Sequence, residues 1–565
     1  MERKRRILKF GGSSLDNGHG LQNCLDIIEK AASEPVAVVV SARGDSTDVL
    51  ENLLLRASRG DAFAELLNDF FHYQMVPSEK LAFDKEKRVL GELLFAVSLT
   101  REYSQALKDR VMAYGELISA KTITQLLLQR GLKTLFVDSR ELLVTGVNGS
   151  RKVLHEESEK RVLQFFKQLS PDTVPIITGF IASDMKGNTT TLGRNGSNYT
   201  ATLLASYLNA REVQNWTNID GIYTADPRMV EDARKIELLT YREANELANF
   251  GANILHAKTI LPLIEKQIPI RILNSFHPDR PGTTINSEGA GKGIKAVSVI
   301  RDVSLISIEG RGLMGKVGID ARIFSALSRV NISVRMISQA SSERGIGFIV
   351  NEADASVARD ILEREFENEL RHSDISAVRV NNDLAIIAII GRHNYALEKA
   401  IAGLRKNRIW MYLINNSMSG EHISLVVSNN DLAKAVNVVH NQVFGAVKTL
   451  NIVAFGKGTV GGTFIDQVVG TLEEIIRERH LRLSVVGVVD SKRFLFRPKG
   501  VGTGWRDELK ASSLPSDLGL IKETFAGSGL ENLVLADNTA SREIVNHYLV
   551  GGDQVKACFH KIKVM

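Results

Sequence analysis

The sequence predicts an α/β protein built of several domains, and three observations carry that prediction. Strand-like and helix-like patterns alternate along the chain, the mark of layered sheets and helices. Two segments of about seventy residues, within the size of a small domain, repeat one strand–helix–strand–turn–strand–helix pattern. Glycine-broken turns join strands to helices at three widely separated places. At 565 residues the chain is too long for one core and divides, at usual sizes, into roughly three to five domains.

The elements follow in order. Residues 1–290 form the first block, in which "RILKF" and "PVAVVVSARG" read as strands and a helical stretch covers roughly 60–130. "TLFVDS", "VPIITGFIAS" and "EVQNWTNIDGIYT" read as further strands. "EGAGKGIK" (288–295) reads as a glycine-rich linker. The repeats span 298–370 and 382–446. The first starts "VSLISIEG" and contains "VNISVRMISQASSERGIGFIV"; the second starts "LAIIAIIG" and contains "NRIWMYLINNSMSGEHISLVV". The last block, 449–565, opens on "VAFGKGTVGGTFIDQ": an apolar strand enters Gly456, Gly458 and Gly461, and a helical pattern leaves them. That is the opening of a dinucleotide-binding domain.

Composition excludes several classes. With 44% hydrophobic and 24% charged residues the chain is ordinary globular protein. A net charge of +6, from 71 basic and 65 acidic residues spread along the chain, is too weak for a nucleic-acid footprint. The one basic cluster, Arg3-Lys4-Arg5-Arg6, reads as a solvated arm before the first strand. Cys24 and Cys558 lie at opposite ends, which gives neither a disulfide framework nor metal-ligand spacing. The basic start lacks the apolar stretch of a signal peptide, and the longest apolar run, Leu384–Ile390, falls far short of the ~20 residues that span a bilayer. These features predict a soluble, cytoplasmic protein without nucleic-acid or membrane partners.

Four pieces of the first block carry chemistry. In "KFGGSS", Lys9 ends a strand and Gly11, Gly12, Ser13 and Ser14 open a turn, so that backbone N–H groups, hydroxyls and a point charge can meet phosphate oxygens. In "TTTLGRNGSNYTATLLA" (189–205), Arg194 sits between glycines, with Ser197, Asn198 and Thr200 at a helix start; its guanidinium can grip a carboxylate as a two-pronged fork. In "WTNIDGIYTADPR" (216–228) a strand ends in polar residues and a turn bearing Tyr223, Asp226 and Arg228. Glu116 in "AYGELISAK" is a carboxylate near a helix start. Each alone is also what an ordinary turn or helix end looks like.

Together and in this order the four pieces resemble the aspartate kinases of the amino-acid kinase family, over the whole first block. The resemblance implies the amino-acid kinase fold, a parallel-rich sheet between helices. It also implies transfer of phosphate from ATP, with its Mg2+, to the side-chain carboxylate of L-aspartate, giving 4-phospho-L-aspartate and ADP. Lys9 takes the role of neutralising the phosphates, and Gly11, Gly12, Ser13 and Ser14 that of cradling the transferring group. Ser41 and Thr47, in "SARGDSTD", match substrate-pocket positions. Glu116 matches the carboxylate that pairs with the aspartate ammonium, and Arg194 the guanidinium that holds its α-carboxylate. Thr217, Asn218, Tyr223, Asp226 and Arg228 fall on nucleotide-binding positions. Three residues depart from the family pattern: Asn198 where most aspartate kinases have aspartate, Asn218 where many have it, and Asn253 where many have lysine. Each removes a charge, and a contact charge pair is worth ~4 kcal/mol at an effective dielectric of 20. Asparagine still hydrogen-bonds an ammonium or a hydroxyl, so the expectation is an active site with altered affinities. The alternative is a non-catalytic, amino-acid-sensing protein on a kinase-like scaffold.

The paired segments resemble ACT domains, βαββαβ modules that bind free amino acids. The resemblance implies feedback regulation and a homo-oligomer assembled through these modules. Gln339 in "MISQASSE" and Asn416 in "LINNSMSGE" fall on effector-contacting positions, where an amide offers donors and acceptors to an amino acid. The last block, with "LRLSVVGVVDSKRFLF" (481–496) and "LENLVLADNTAS" (530–541), resembles the start of homoserine dehydrogenase, a partial Rossmann-like segment. Kinase, two ACT domains and that start, in this order, resemble bifunctional aspartate kinase–homoserine dehydrogenase, a family whose usual regulation points to threonine as effector. The resemblance runs to about residue 541, and the final residues look unlike the family's continuation. The expectation is therefore weak NAD(P) binding at a vestigial turn (Gly456, Gly458, Gly461) and no dehydrogenase activity. Asp490 can take a ribose hydroxyl, while Lys492 and Arg493 beside it can favour a 2′-phosphate, which leaves NAD against NADP open.

Overall fold

The run "VAVVV" has no polar residue to turn toward water, and it becomes the fully buried strand Val36–Val40 near the middle of a parallel sheet. This computed structural model describes residues 4–78, 81–146, 151–251, 257–289, 293–311, 317–339, 345–392, 395–445, 448–479, 481–530 and 532–539. The chain divides into two compact units, Met1–Asn437 and Val438–Met565. Asn253 lies outside the described residues. Among those described, no helix is long and apolar enough to cross a membrane.

The first block folds around an eight-stranded sheet. Its spatial order is Leu238–Thr240, Thr283–Asn286, Ile270–Asn274, Glu212–Thr217, Arg6–Phe10, Val36–Val40, Val174–Thr178 and Thr134–Val137. All neighbours pair in parallel except Ile270–Asn274 with Thr283–Asn286. Successive side chains of one strand feed opposite faces: Ile7, Val39 and Val213 join one core, and Leu8, Phe10 and Val38 the other. The helical stretch read at 60–130 resolves into Ala64–Met75, Asp84–Thr100 and Gln105–Gln129. With Ser46–Arg59 these pack a core of their own around Leu50, Leu54, Phe71 and Leu94.

The paired segments form one six-stranded antiparallel sheet, ordered Met336–Gln339, Gly345–Asn351, Ile294–Glu309, Ala377–Gly391, His422–Ser428 and Leu413–Asn416. Its two central strands are long and serve both modules. The later half of Ile294–Glu309 pairs with Gly345–Asn351, while its earlier half, Ile294–Ile300, pairs with Ile386–Gly391 of the second module. The pairing shifts register between Ile300 and Val303. The boundaries expected at 298 and 382 thus fall inside strands, because each repeat was read from the apolar half of a longer strand. The linker expected over 288–295 ends in strand for the same reason.

The second unit, taken by itself, is a four-stranded sheet ordered Phe494–Phe496, Leu481–Val489, Lys448–Phe455 and Leu533–Asp537, the last three parallel. Trp505 is buried against one face and its indole N–H donates to Asp466 at 2.9 Å.

Candidate active site

Parallel neighbours place the carboxyl ends of Arg6–Phe10, Val36–Val40, Val174–Thr178 and Glu212–Thr217 along one edge, where open α/β sheets bind ligands. At that edge lies a cavity of about 750 Å³, and it gathers six of the residues expected from sequence: Lys9, Ser41, Thr47, Glu116, Arg194 and Asn198.

Lys9, one residue before its strand ends, is 8% exposed, and burial lowers its pKa to about 8. Glu116, on the long helix Gln105–Gln129, is 5% exposed, and burial raises its pKa to about 8, opposed by the Ala42 N–H that donates to Oε1 at 3.2 Å. Sequence reading placed Glu116 near a helix start; it lies instead midway along a long helix, a buried carboxyl whose charge is costly and whose ionisation is tied to what binds it. Arg194 is exposed on the loop before helix Gly196–Tyr207 and has no side-chain partner among the described residues. Asn198 is buried at that helix start, and its Oδ1 has no hydrogen-bond partner among the described residues. A buried carboxyl, an orphan amide oxygen and an unpaired guanidinium suit an ammonium and a carboxylate on one small molecule, with Lys9 beside them for phosphate.

The sequence reading missed the cavity's rim. Lys108 pairs with Glu51, and Asp109 accepts from Thr191 Oγ1 at 3.0 Å and lies 3.6 Å from Arg151. On their helices Glu51, Lys108 and Asp109 look like any solvated face; only the fold brings them, with Arg151 from a loop, to the cavity.

The glycine turn and the nucleotide positions lie outside the cavity lining. Gly11, Gly12, Ser13 and Ser14 form a tight turn whose Gly11 N–H donates to the Trp216 carbonyl at 3.2 Å, which ties it to strand Glu212–Thr217. A Cβ on Gly12 would stand 2.8 Å from the Ala42 carbonyl, so the approach of the two loops requires glycine. Buried Ser14 Oγ accepts from Ser275 Oγ at 2.8 Å, whereas Ser13 is exposed. Thr217 ends its strand and donates to Asn218 Oδ1 at 3.3 Å. Tyr223 lies in the short strand Ile222–Tyr223, and Asp226 pairs with the exposed Arg228 at 2.7 Å.

Gln339 and Asn416 end the two outer strands of the six-stranded sheet, in equivalent places of the two modules, and both are exposed. In the second unit Gly458 caps helix Thr459–Gly470, Gly456 has φ 90°, and a Cβ on Gly461 would lie 1.8 Å from the Gly456 carbonyl. This cradle fits a pyrophosphate at a helix N-terminus. Asp490 is engaged by Lys457 at 2.6 Å and accepts from the N–H groups of Lys492 and Arg493.

The first block and the paired modules define a class: an amino-acid kinase fold joined to ACT-type regulatory modules. Residues 4–274 match the amino acid kinase family and residues 306–366 an ACT domain. The chain is 33% identical over 567 residues to the bifunctional aspartokinase/homoserine dehydrogenase of Haemophilus influenzae, covering 96% of this chain and 69% of that protein. It is 32% identical over 582 residues to bifunctional aspartokinase/homoserine dehydrogenase 1 of Zea mays, covering 98% of this chain and 63% of that protein's length. Among solved structures, E. coli aspartokinase III in complex with aspartate and ADP (R-state) matches with a TM-score of 0.67 at 27% identity, over 78% of this chain and all of that one. The same enzyme in complex with lysine and aspartate (T-state) gives a TM-score of 0.63 at 28% identity. The chain belongs to the bifunctional aspartokinase/homoserine dehydrogenase family.

Proposed function

We propose that the chain is an aspartate kinase that uses MgATP to phosphorylate the side-chain carboxylate of L-aspartate, the first step toward lysine, threonine and methionine. One observation carries the reading: buried Lys9, buried Glu116 and unpaired Arg194 face a single cavity. Arg194 grips the substrate α-carboxylate, and Glu116 with the orphan oxygen of Asn198 takes its ammonium. This leaves the side-chain carboxylate toward Lys9. Phosphoryl transfer asks the protein to position the partners and neutralise charge, with no covalent nucleophile. Lys9 supplies that charge from a site where low dielectric strengthens it. Support from relatives is that E. coli aspartokinase III, similar in fold, is known with aspartate and ADP bound. The test is ADP release dependent on both ATP and aspartate, with the acyl phosphate trapped by hydroxylamine as the hydroxamate. Amino-acid binding to the regulatory sheet without ADP release would instead favour the sensor reading.

We also propose feedback by an amino acid through Gln339 and Asn416, with threonine as effector, and assembly of copies through the regulatory sheet. The second unit's glycines would hold an NAD(P) pyrophosphate, and the nicotinamide would supply hydride. From the sequence reading alone we expect that these 565 residues do not turn over aspartate semialdehyde. A NAD(P)H-dependent assay showing robust turnover overturns it.

A further inference from the structure

Lys9 is a cation more than nine-tenths buried, with no hydrogen bond or ion pair to any described residue. Of the buried amide oxygens without a partner among the described residues, two belong to the kinase-fold block, Oδ1 of Asn198 and Oδ1 of Asn215. Asn198 shares the cavity with Lys9. Asn215 is 3% exposed and outside the cavity lining, on the neighbouring parallel strand, in direct register with Lys9. Lys9 follows Ile7 by two residues and Asn215 follows Val213 by two, and Ile7 and Val213 share one core. Lys9 and Asn215 therefore extend the same face of the sheet, on strands about 4.8 Å apart. The other strand beside Glu212–Thr217 puts apolar Ile272 at this level, and the other strand beside Arg6–Phe10 puts Val39 there. A polar residue between such neighbours has no packing reason to be there.

We infer that Asn215 is a positioning residue for Lys9: the two side chains are not bonded in this structure, and a side-chain rotation lets Oδ1 accept a hydrogen bond from the ammonium and aim that charge at the transferring phosphoryl group. An ammonium has three donors and no acceptor, so one can be held from the sheet side while the others meet phosphate oxygens. A hydrogen bond to a charged donor is among the stronger ones, and it favours the charged form of Lys9 against the burial that disfavours it. The same bond satisfies an oxygen otherwise left unpaired in the core. This inference rests on the kinase reading for its purpose but not for its test.

The test measures the proton affinity of Lys9 in the full chain without substrates, by competitive acylation as a function of pH with peptide mass spectrometry. Wild type, Asn215→Leu and the near-isosteric Asn215→Asp are compared. The other ionisable groups lining the cavity are Asp48 and Glu51, Lys108, Asp109 and Glu116, and Arg151 and Arg194, and no variant alters them. Asn215→Leu should lower the Lys9 midpoint by about one pKa unit, tenfold in proton affinity, and Asn215→Asp should raise it by at least as much. In the kinase assay the alkaline fall in kcat should move to lower pH in Asn215→Leu, which a merely structural loss would not do. If Asn215→Leu does not fold, the Asp variant decides alone. Unchanged Lys9 midpoints overturn the inference, as they would if a buried water satisfied Asn215. Shifted midpoints in a chain without kinase activity would uphold the pairing and overturn the function instead.

Discussion

Glu116 and Lys9 carry opposite burdens at the same depth, and both set how the protein answers to pH. Glu116 has a folded pKa raised from 4.5 to about 8, so between those values the folded chain holds a proton the unfolded chain has lost. Stability therefore falls as pH rises through that window. Glu116→Gln should raise the unfolding free energy at pH 8 by an amount on the order of a few kcal/mol, read from urea unfolding, while removing the carboxylate proposed to take the substrate ammonium. A variant that loses stability at pH 8 would contradict the burial account. Lys9 is lowered from 10.5 to about 8; its charge is present below that value and lost above it. The kcat/KM for aspartate should thus climb toward about pH 8 as Glu116 ionises and fall beyond it as Lys9 discharges, which a pH–rate profile reads directly. Lys9→Ala should cost about a hundredfold in turnover, in line with removal of one electrostatic donor. Near-normal turnover in the folded variant would remove Lys9 from the mechanism. These residues were legible because they sit in glycine-broken turns or matched family positions. Asn215 was not, since an asparagine in a strand shows its orphan oxygen only once the strand beside it is known.

Elements whose pattern is local were read well, and those whose partner is distant were not. "VAVVV" and "RILKF" gave their strands because apolar runs need no partner to be recognised. The long strands Ile294–Glu309 and Ala377–Gly391 were shortened because only half of each is plainly apolar; the rest is held by pairing across the sheet. The ring of Lys108, Asp109 and Arg151 around the cavity was invisible for the same reason. The glycine turn of the second unit was legible down to single residues, and it makes a sharp prediction. Gly461→Ala puts a methyl group where the Gly456 carbonyl stands, 1.8 Å away, so helix Thr459–Gly470 must shift. Loss of several kcal/mol is expected, of the size of other buried clashes. Urea unfolding should show an early transition for the second unit with kinase activity retained, and an unchanged unfolding curve would mean the turn is looser than it stands.

The feedback proposed above would involve the whole first unit. Helix Tyr241–Asn249, started by a Thr240–Glu243 capping box, packs against strands Leu238–Thr240 and Thr283–Asn286 of the first sheet and Ile294–Glu309 and Ala377–Gly391 of the second. His422 Nδ1 lies 2.8 Å from Glu246 Oε2, off the line of a hydrogen bond, and the His422 ring packs 4.6 Å from Phe250. Arg242 approaches Glu421, and Asn437 donates to the Met229 carbonyl at 2.7 Å, close behind the Asp226–Arg228 turn. An effector that favours one arrangement of this contact changes affinity at the kinase site by the same coupling, typically about 5–150-fold. Gln339→Ala should weaken inhibition with catalysis intact, and Glu246→Ala should weaken coupling without weakening effector binding, which titration calorimetry beside inhibition curves separates. Inhibition by lysine and not threonine would refute the threonine assignment. The crossed strands of the regulatory sheet also impose a schedule on synthesis. Ile294–Ile300 leaves the ribosome roughly ninety residues before Ile386–Gly391, its partner, so at about 5–20 residues per second it waits several seconds with one edge bare. Through that interval the nascent chain carries an apolar strand that a second nascent copy could capture, so slow codons between the two modules would favour entangled pairs over correctly closed ones.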